Sequence, residues 1–224
     1  VGINLFFLLF LERRNARKCE HWKTYLSMKD IKKYFLVNLM ICILTFTTNY
    51  LINVPKYAID KFLTSDIQAL FGIIIMPATV MLLIGNFIMN PLLVDIAQLY
   101  NDRKYKEVRK LMYKIILLIF GIGVLALGGT YLLGIPVLNL VYSLDLSPYK
   151  IELMIVVCGS IFYAITATLS TVFVAMRKIN IQVIMNLVVC LCAFVFGERF
   201  VSTMGIRGGA IVYFLIVFIR FILY

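Results

Sequence analysis

Long apolar runs without a charged residue alternate with short charged segments along the whole chain. Five internal runs of 19 to 30 residues contain no Asp, Glu, Lys or Arg. A helix that crosses a bilayer needs about 20 mainly apolar residues, so each run is long enough for one membrane-spanning helix. The pattern therefore predicts an all-α, polytopic transmembrane helical bundle, with complete helices near residues 34–54, 68–99, 110–133, 152–176 and 180–199.

Two further apolar runs lie at the ends of the chain, which begins with Val1 rather than Met. Both runs look cut, so we expect a fragment of a longer protein. The predicted organisation has three parts. They are the end of a truncated transmembrane helix at 1–11, a basic cytoplasmic loop at 12–33, and a membrane domain of six helices at 34–224, the last of them truncated.

Proline and glycine interrupt two of the predicted spans. The segment Gly134-Ile135-Pro136 predicts that the helix at 110–133 ends there and that an uncharged loop follows. Pro77 and Pro91 lie within the run at 68–99. Prolines of this kind are typical of the broken helices around the central site of a transporter, although they are also frequent in membrane helices generally.

Lysine and arginine are concentrated in alternate connections between the spans. The first, third and fifth connections carry 16 of the 22 basic residues, whereas the connections between them carry 5. Because cytoplasmic loops of membrane proteins are rich in Lys and Arg, this bias predicts that the odd connections face the cytoplasm. The net charge of +11 is then a signal of topology. We expect membrane lipids, and not nucleic acid, as the partner of these basic loops.

Composition and missing motifs exclude several classes of protein. The chain is 62% hydrophobic and 15% charged, whereas a soluble domain has about 45–50% apolar and about 25% charged residues. This excludes a soluble enzyme, a disordered protein and a collagen-like chain. The single histidine, His21, and the five scattered cysteines form no HExxH or CxxC motif, and neither GxSxG nor a P-loop occurs. We therefore expect a protein that is not an enzyme, with no catalytic residues, no metal and no cofactor.

Polar and small side chains recur along one face of the predicted helix at 34–54. They are separated by three or four residues, the spacing of a single helix face, and are Asn38, Cys42, Thr45, Asn49 and Asn53. Asn86 and Asn90 lie one turn apart in the next span. Amides are costly in hydrocarbon unless they are partnered or face water. The stripe therefore either forms hydrogen bonds between helices or lines a hydrated cavity.

Three other polar features occur within the spans. One is a stripe of small residues that favours close helix packing, and its members are Ser160, Ala164, Thr168, Thr171 and Ala175. Gln182 and Asn186 lie one turn apart in the following span. Arg220 lies deep in the last run, where it either extends to the cytoplasmic side or faces a cavity and attracts an anion.

Several short segments match, in order, the motifs of one known family. The segments are Asn53-Val54-Pro55-Lys56-Tyr57-Ala58-Ile59-Asp60, Phe71-Gly72-Ile73-Ile74-Ile75-Met76-Pro77, Asn90-Pro91-Leu92-Leu93, Gly134-Ile135-Pro136-Val137-Leu138, Asp145-Leu146-Ser147-Pro148-Tyr149-Lys150, Ala175-Met176-Arg177-Lys178 and Gly205-Ile206-Arg207-Gly208-Gly209-Ala210. With them the chain resembles the bacterial polysaccharide flippases of the O-antigen and teichoic acid type. These belong to the multidrug/oligosaccharidyl-lipid/polysaccharide exporter superfamily. The last segment departs from the family pattern, which more often reads Gly-x-x-Gly-Ala-Ala.

The resemblance implies a fold of two six-helix lobes with a cavity between them, of which this chain is the C-terminal lobe. It implies flipping of a lipid-linked oligosaccharide by alternating access across the bacterial cytoplasmic membrane, with the protein as a multi-pass cell-membrane exporter. The implied partners are the lipid-linked glycan substrate and the missing N-terminal lobe of the same chain. Two alternatives stay open, namely a drug or small-molecule exporter of the same superfamily and a membrane enzyme of polysaccharide assembly.

These observations lead to one hypothesis for the binding site. Asn49, Asn53, Asn86 and Asn90 line one wall of a hydrated cavity, where amides can hydrogen-bond to sugar hydroxyls without the cost of burying a charge. Candidate anion contacts are Lys56 and Arg220. In the competing interpretation the amides pair with each other as packing contacts. Lys56 then pairs only with Asp60 in an exposed loop.

Overall fold

The computed structural model describes residues 28–176 and 178–224, and the secondary structure of these residues is entirely helical. This confirms the predicted all-α class. The elements are α1 (Met28–Phe62), α2 (Ser65–Ile74), α3 (Met76–Asn101), α4 (Tyr105–Gly129), a π-helical turn (Thr130–Gly134), α5 (Ile135–Tyr142), a 3-10 turn (Ser147–Tyr149), α6 (Lys150–Ala175) and α7 (Ile179–Leu223). The truncated helix predicted at 1–11 and most of the basic loop predicted at 12–33 lie outside the described residues.

The chain divides into two compact units, Val1–Leu39 and Met40–Tyr224, and the contacts below belong to the second. Four helical segments among the described residues are long and apolar enough to cross a membrane. They are Ser65–Asn101, Tyr105–Tyr142, Ser147–Ala175 and Ile179–Leu223. These segments account for the predicted spans from residue 68 onward, and the count of six helices stays a prediction.

Helix α7 is a hairpin of two antiparallel arms. At Gly205 the backbone adopts φ 59° and ψ −135°, which is not helical. Val189 and Ile216 are 27 residues apart, and a straight helix would separate them by about 40 Å, yet both belong to one buried cluster. The chain therefore reverses at Gly205. We call residues 179–204 the first arm and residues 206–223 the second arm. They correspond to the predicted helix at 180–199 and the predicted partial helix at the end of the chain.

The prediction that the helix at 110–133 ends before Pro136 is wrong. The chain stays helical through the π-helical turn at Thr130–Gly134 and on through α5 to Tyr142. Proline lacks a backbone N–H, and its ring collides with the carbonyl four residues earlier in an ordinary α-helix. A π-helical turn before Pro136 accommodates both defects without ending the helix. The run at 68–99 is divided instead at Ile75, with Pro77 in the first turn of α3.

Three residues with small side chains allow α3 to pack closely against α6. A Cβ atom added to Gly85 of α3 would lie 3.6 Å from Cβ of Ala164 and 3.7 Å from Oγ1 of Thr168. Both residues of α6 are buried. The predicted packing role of the small-residue stripe on α6 is thus confirmed for these two members.

The buried clusters show which connections lie at the same end of the second unit. Ile59, Leu153 and Ala210 share one cluster, so the connections near residues 63, 145 and 205 gather at one end. Ile96, Val108 and Val172 share another cluster, so the connections near residues 103 and 177 gather at the opposite end. This alternation agrees with the sides predicted from the lysine and arginine count.

Candidate functional site

The polar stripe of α1 lies on the exposed face of that helix. Cys42, Thr45 and Asn49 are exposed, and Asn53 and Lys56 are partly exposed. The spacing of three or four residues places all five on one side. The opposite side is apolar and buried, with Leu44, Leu51 and Val54 packed against other helices. Three of the six predicted site residues therefore share one open surface.

Asn49 and Asn53 of this stripe make no hydrogen bond to another helix among the described residues. Asn53 Nδ2 donates a hydrogen bond to the backbone oxygen of Asn49, 2.9 Å away in the same helix. Among the described residues, the side chain of Asn49 makes no hydrogen bond to another helix, and Lys56 forms no ion pair with Asp60. The hydrogen bond from Asn53 to Asn49 lies within α1, so the cavity wall and the packing interpretation both stay predictions.

Asn86 and Asn90 lie together along one side of α3. Asn86 is partly exposed and Asn90 is exposed. Within the described part of the chain, no hydrogen bond joins either of them to the stripe on α1. The shared cavity wall predicted for all four asparagines therefore stays a prediction, whereas each of the two pairs lies along one side of its own helix, as predicted.

Arg220, the sixth predicted residue, is buried inside the second arm of α7, with only 2% of its surface exposed. Its Nη2 donates to Oγ1 of Thr48 in α1 at 3.4 Å, and its Cζ lies 5.6 Å from the centroid of the Tyr224 ring. Of the two alternatives predicted for Arg220, extension to the cytoplasmic side does not fit this burial. The guanidinium lies behind the exposed stripe and not on it.

Thr48 is the centre of a small buried network that the sequence did not identify. Its Oγ1 accepts hydrogen bonds from Arg220 Nη2 and, at 2.9 Å, from Nδ2 of Asn186 in the first arm. Asn186 is fully buried. Because the Thr48 oxygen already accepts two hydrogen bonds, its own O–H remains available to an additional acceptor. The sequence contains one signal for this network, namely that Asn186 lies one turn from Gln182 in the same apolar span. Gln182 itself belongs to a different contact, since its Nε2 donates a hydrogen bond to the backbone oxygen of Ser170 at 2.6 Å.

The network carries a positive charge without a carboxylate partner in the described residues. The salt bridge found among the described residues joins Lys61 to Glu198 and does not involve Arg220. The Nε of Arg220 is buried and has no hydrogen-bond acceptor in this part of the chain. Arginine does not lose its proton in proteins, and an unpaired buried charge is costly. The arrangement is therefore suited to bind an anion or water. No cluster of three or more metal-ligating side chains occurs among the residues that the structure describes.

Comparison with known proteins gives one informative similarity. No family model matches the chain, and no solved structure matches it. The chain is 21% identical over 198 residues to a protein of Staphylococcus aureus named "Capsular polysaccharide biosynthesis protein CapF". The match covers 88% of this chain and 50% of the relative, so the chain spans about half the length of that protein. This similarity is weak and indicates a link to polysaccharide biosynthesis.

Proposed function

We propose that this chain forms one six-helix lobe of a two-lobed transporter. The transporter moves a lipid-linked oligosaccharide across the bacterial cytoplasmic membrane by alternating access, without chemical catalysis. The four apolar helical segments and the similarity to a capsular polysaccharide biosynthesis protein support this proposal. The polar head of such a substrate cannot cross hydrocarbon unaided, so a transporter must offer it a hydrated path.

The observation that carries the proposal is the exposed amide stripe on an otherwise apolar lobe. Asn49 and Asn53 point outward from α1, whereas the exposed positions beside them include Ile43 and Phe46. Amides facing lipid would lose their hydrogen bonds to water at a cost of several kcal/mol each, on the order of the water-to-hydrocarbon transfer values. The stripe is therefore best placed against water, in a cavity between this lobe and a second one.

The chemistry of this surface suits a glycan linked to an anionic group. Amides donate and accept hydrogen bonds and so match sugar hydroxyls. Lys56 lies on the same face, one turn beyond Asn53, and supplies an ammonium to the phosphate groups of the substrate. Arg220 is the second proposed anion contact, and it becomes accessible when α1 moves away from α7 during the transport cycle.

Water accessibility of the stripe tests the placement directly. We expect a cysteine at position 49 of the full-length protein in membranes to react with a water-soluble maleimide. A cysteine at position 43 should be protected, because it lies about 120° away around the helix on the lipid side. Each variant is made in a background without the native cysteines. Equal protection at both positions would remove the hydrated stripe and, with it, the main support for the proposal.

Transport of the substrate tests the role of the amides. In vesicles that contain the full-length protein, we expect the double replacement Asn49→Ala and Asn53→Ala to lower the flipping rate at least tenfold, with a normal yield of folded protein. Asn180→Ala is the matched control, since it removes an exposed amide of α7 outside the stripe and should transport normally. An unchanged rate in the double variant would show that the stripe does not contact substrate.

A membrane enzyme of polysaccharide assembly is the second candidate. The name of the relative specifies biosynthesis and not transport. The two functions differ in their products, because an enzyme changes the mass of the glycan whereas a transporter changes only its side of the membrane. Incubating the purified full-length protein with lipid-linked oligosaccharide and activated sugar donors distinguishes them. Elongated glycan in the mass spectrum would favour the enzyme.

A further inference from the structure

An apolar groove of about 660 Å³ lies between α4, α6 and the second arm of α7. Leucine, isoleucine and phenylalanine side chains form most of its walls, and they include Leu127, Ile151, Ile155 and Phe214. Its size is in the range of about 300–1,000 Å³ that is typical of sites for small organic ligands. None of the six residues predicted from the sequence lines this groove.

Two groups at the edge of the groove depart from this apolar character. Lys150 begins α6, and its Nζ lies 4.2 Å from the centroid of the Tyr131 ring. Both residues line the groove. Tyr131 belongs to the π-helical turn before Pro136. Such turns redirect side chains and are frequent at functional sites. The turn thus brings an aromatic face beneath the ammonium group.

The ammonium group of Lys150 is available to a ligand. It forms no ion pair with a carboxylate of the described residues, and its side chain is exposed. A cation–π contact occupies only one side of an ammonium group and leaves its N–H donors directed elsewhere. The groove therefore combines a long apolar wall with one fixed positive charge at its end.

We propose that this groove binds an anionic phospholipid of the surrounding bilayer, with an acyl chain along the walls and the phosphate at Lys150. Apart from Tyr131, Lys150 and Cys158, the lining side chains are apolar, so the walls suit a hydrocarbon chain better than a sugar. The charge of Lys150 complements an anionic headgroup. This inference does not depend on the proposed transport activity.

Native mass spectrometry of the purified full-length protein tests the proposal. We expect phosphatidylglycerol to remain bound at lower concentrations than phosphatidylcholine, by about fivefold, which is the effect of one lysine near an anionic headgroup. Lys150→Gln should abolish that preference. Lys106→Gln, which removes an exposed lysine of α4 away from the groove, should leave it unchanged.

A second variant tests the position of the acyl chain. Cys158 lines the groove, so Cys158→Phe should fill it and reduce retention of both lipids. If this variant does not fold, the comparison of Lys150→Gln with Lys106→Gln decides alone. Equal retention of the two lipids by the unmodified protein, or an unchanged preference in Lys150→Gln, would show ordinary contact with bilayer lipid. Stronger retention of undecaprenyl phosphate than of phosphatidylglycerol would overturn the phospholipid assignment in favour of a polyprenyl carrier.

Discussion

Replacing Gly208 with alanine tests whether α7 folds back on itself. A Cβ atom at Gly208 would overlap the carbonyl oxygen of Phe200 in the first arm. It would also lie 2.7 Å from the carbonyl carbon of Phe200 and 3.0 Å from Cα of Val201. These are backbone atoms, so no side-chain rotation relieves the overlap. Bringing the carbonyl carbon to an ordinary contact distance of 3.4 Å needs a shift of about 0.7 Å, and the nearer carbonyl oxygen needs a larger one. The two arms must therefore separate at this contact.

The expected effect of Gly208→Ala is a loss of about 2 kcal/mol in the free energy of unfolding. Overpacking of this kind costs about 1–3 kcal/mol, and more where backbone must move. The higher helix propensity of alanine offsets up to about 1 kcal/mol. For a chain of this length the loss corresponds to a decrease of about 4–8 °C in Tm.

Thermal unfolding of the purified protein in detergent, followed by far-ultraviolet circular dichroism, measures the change. Gly121→Ala is the matched control, because a Cβ atom at Gly121 meets nothing within 4 Å. Its Tm should stay constant or rise by up to about 4 °C through helix propensity alone. Equal Tm values for the two variants, or a higher value for Gly208→Ala, would refute the close contact of the two arms.

Three further predictions concern charged groups. Arg220→Met should leave Tm unchanged or higher, because an unpaired buried charge is removed, but it should abolish flipping by the full-length protein; a large fall in Tm would make Arg220 structural. Hydrogen bonding from Ser147, first from its side chain and then from its backbone, lowers the pKa of the Asp145 carboxyl below its ordinary value. This stabilisation is present above the unfolded pKa of about 3.9 and is lost as pH falls. Ser147→Ala should therefore raise the Asp145 pKa in a ¹³C NMR titration, and an unchanged value would contradict the assignment. The exposed pair of Lys61 and Glu198 should couple by less than about 1 kcal/mol in a double-mutant cycle of Tm values and weaken with added salt; a stronger, salt-independent coupling would contradict this.

The hydrophobic pattern and the positions of the charges were sufficient to predict those helices that end where an apolar run ends. The helix predicted at 152–176 is observed as α6, Lys150–Ala175. The stripe that contains Asn49 and Asn53 was assigned to one helix face, and it occupies one face of α1. These features depend on residues close in the chain, so a window of one or two turns contains all the necessary information.

Errors arose where a local signal had two structural solutions. Pro136 is compatible with either the end of a helix or a π-helical turn, and only the packing around it distinguishes the two. For a similar reason, the sequence left two alternatives open for Arg220. A basic residue near the end of an apolar run extends to solvent unless other helices enclose it. Thr48, which binds Arg220, and Asn186, which binds Thr48, are both distant from Arg220 in the sequence.

The sequence by itself determined the helical class, the approximate positions of the apolar spans and the alternation of their ends. It could do so because charges are excluded from hydrocarbon and helices have a constant period. Only the tertiary structure decided that Arg220 is buried beside Thr48, that the two arms of α7 meet at Gly208, and that Lys150 and Tyr131 frame a groove. These relations join residues on different helices or on opposite arms of one hairpin. They depend on how the helices pack, which the pattern along any single helix does not specify.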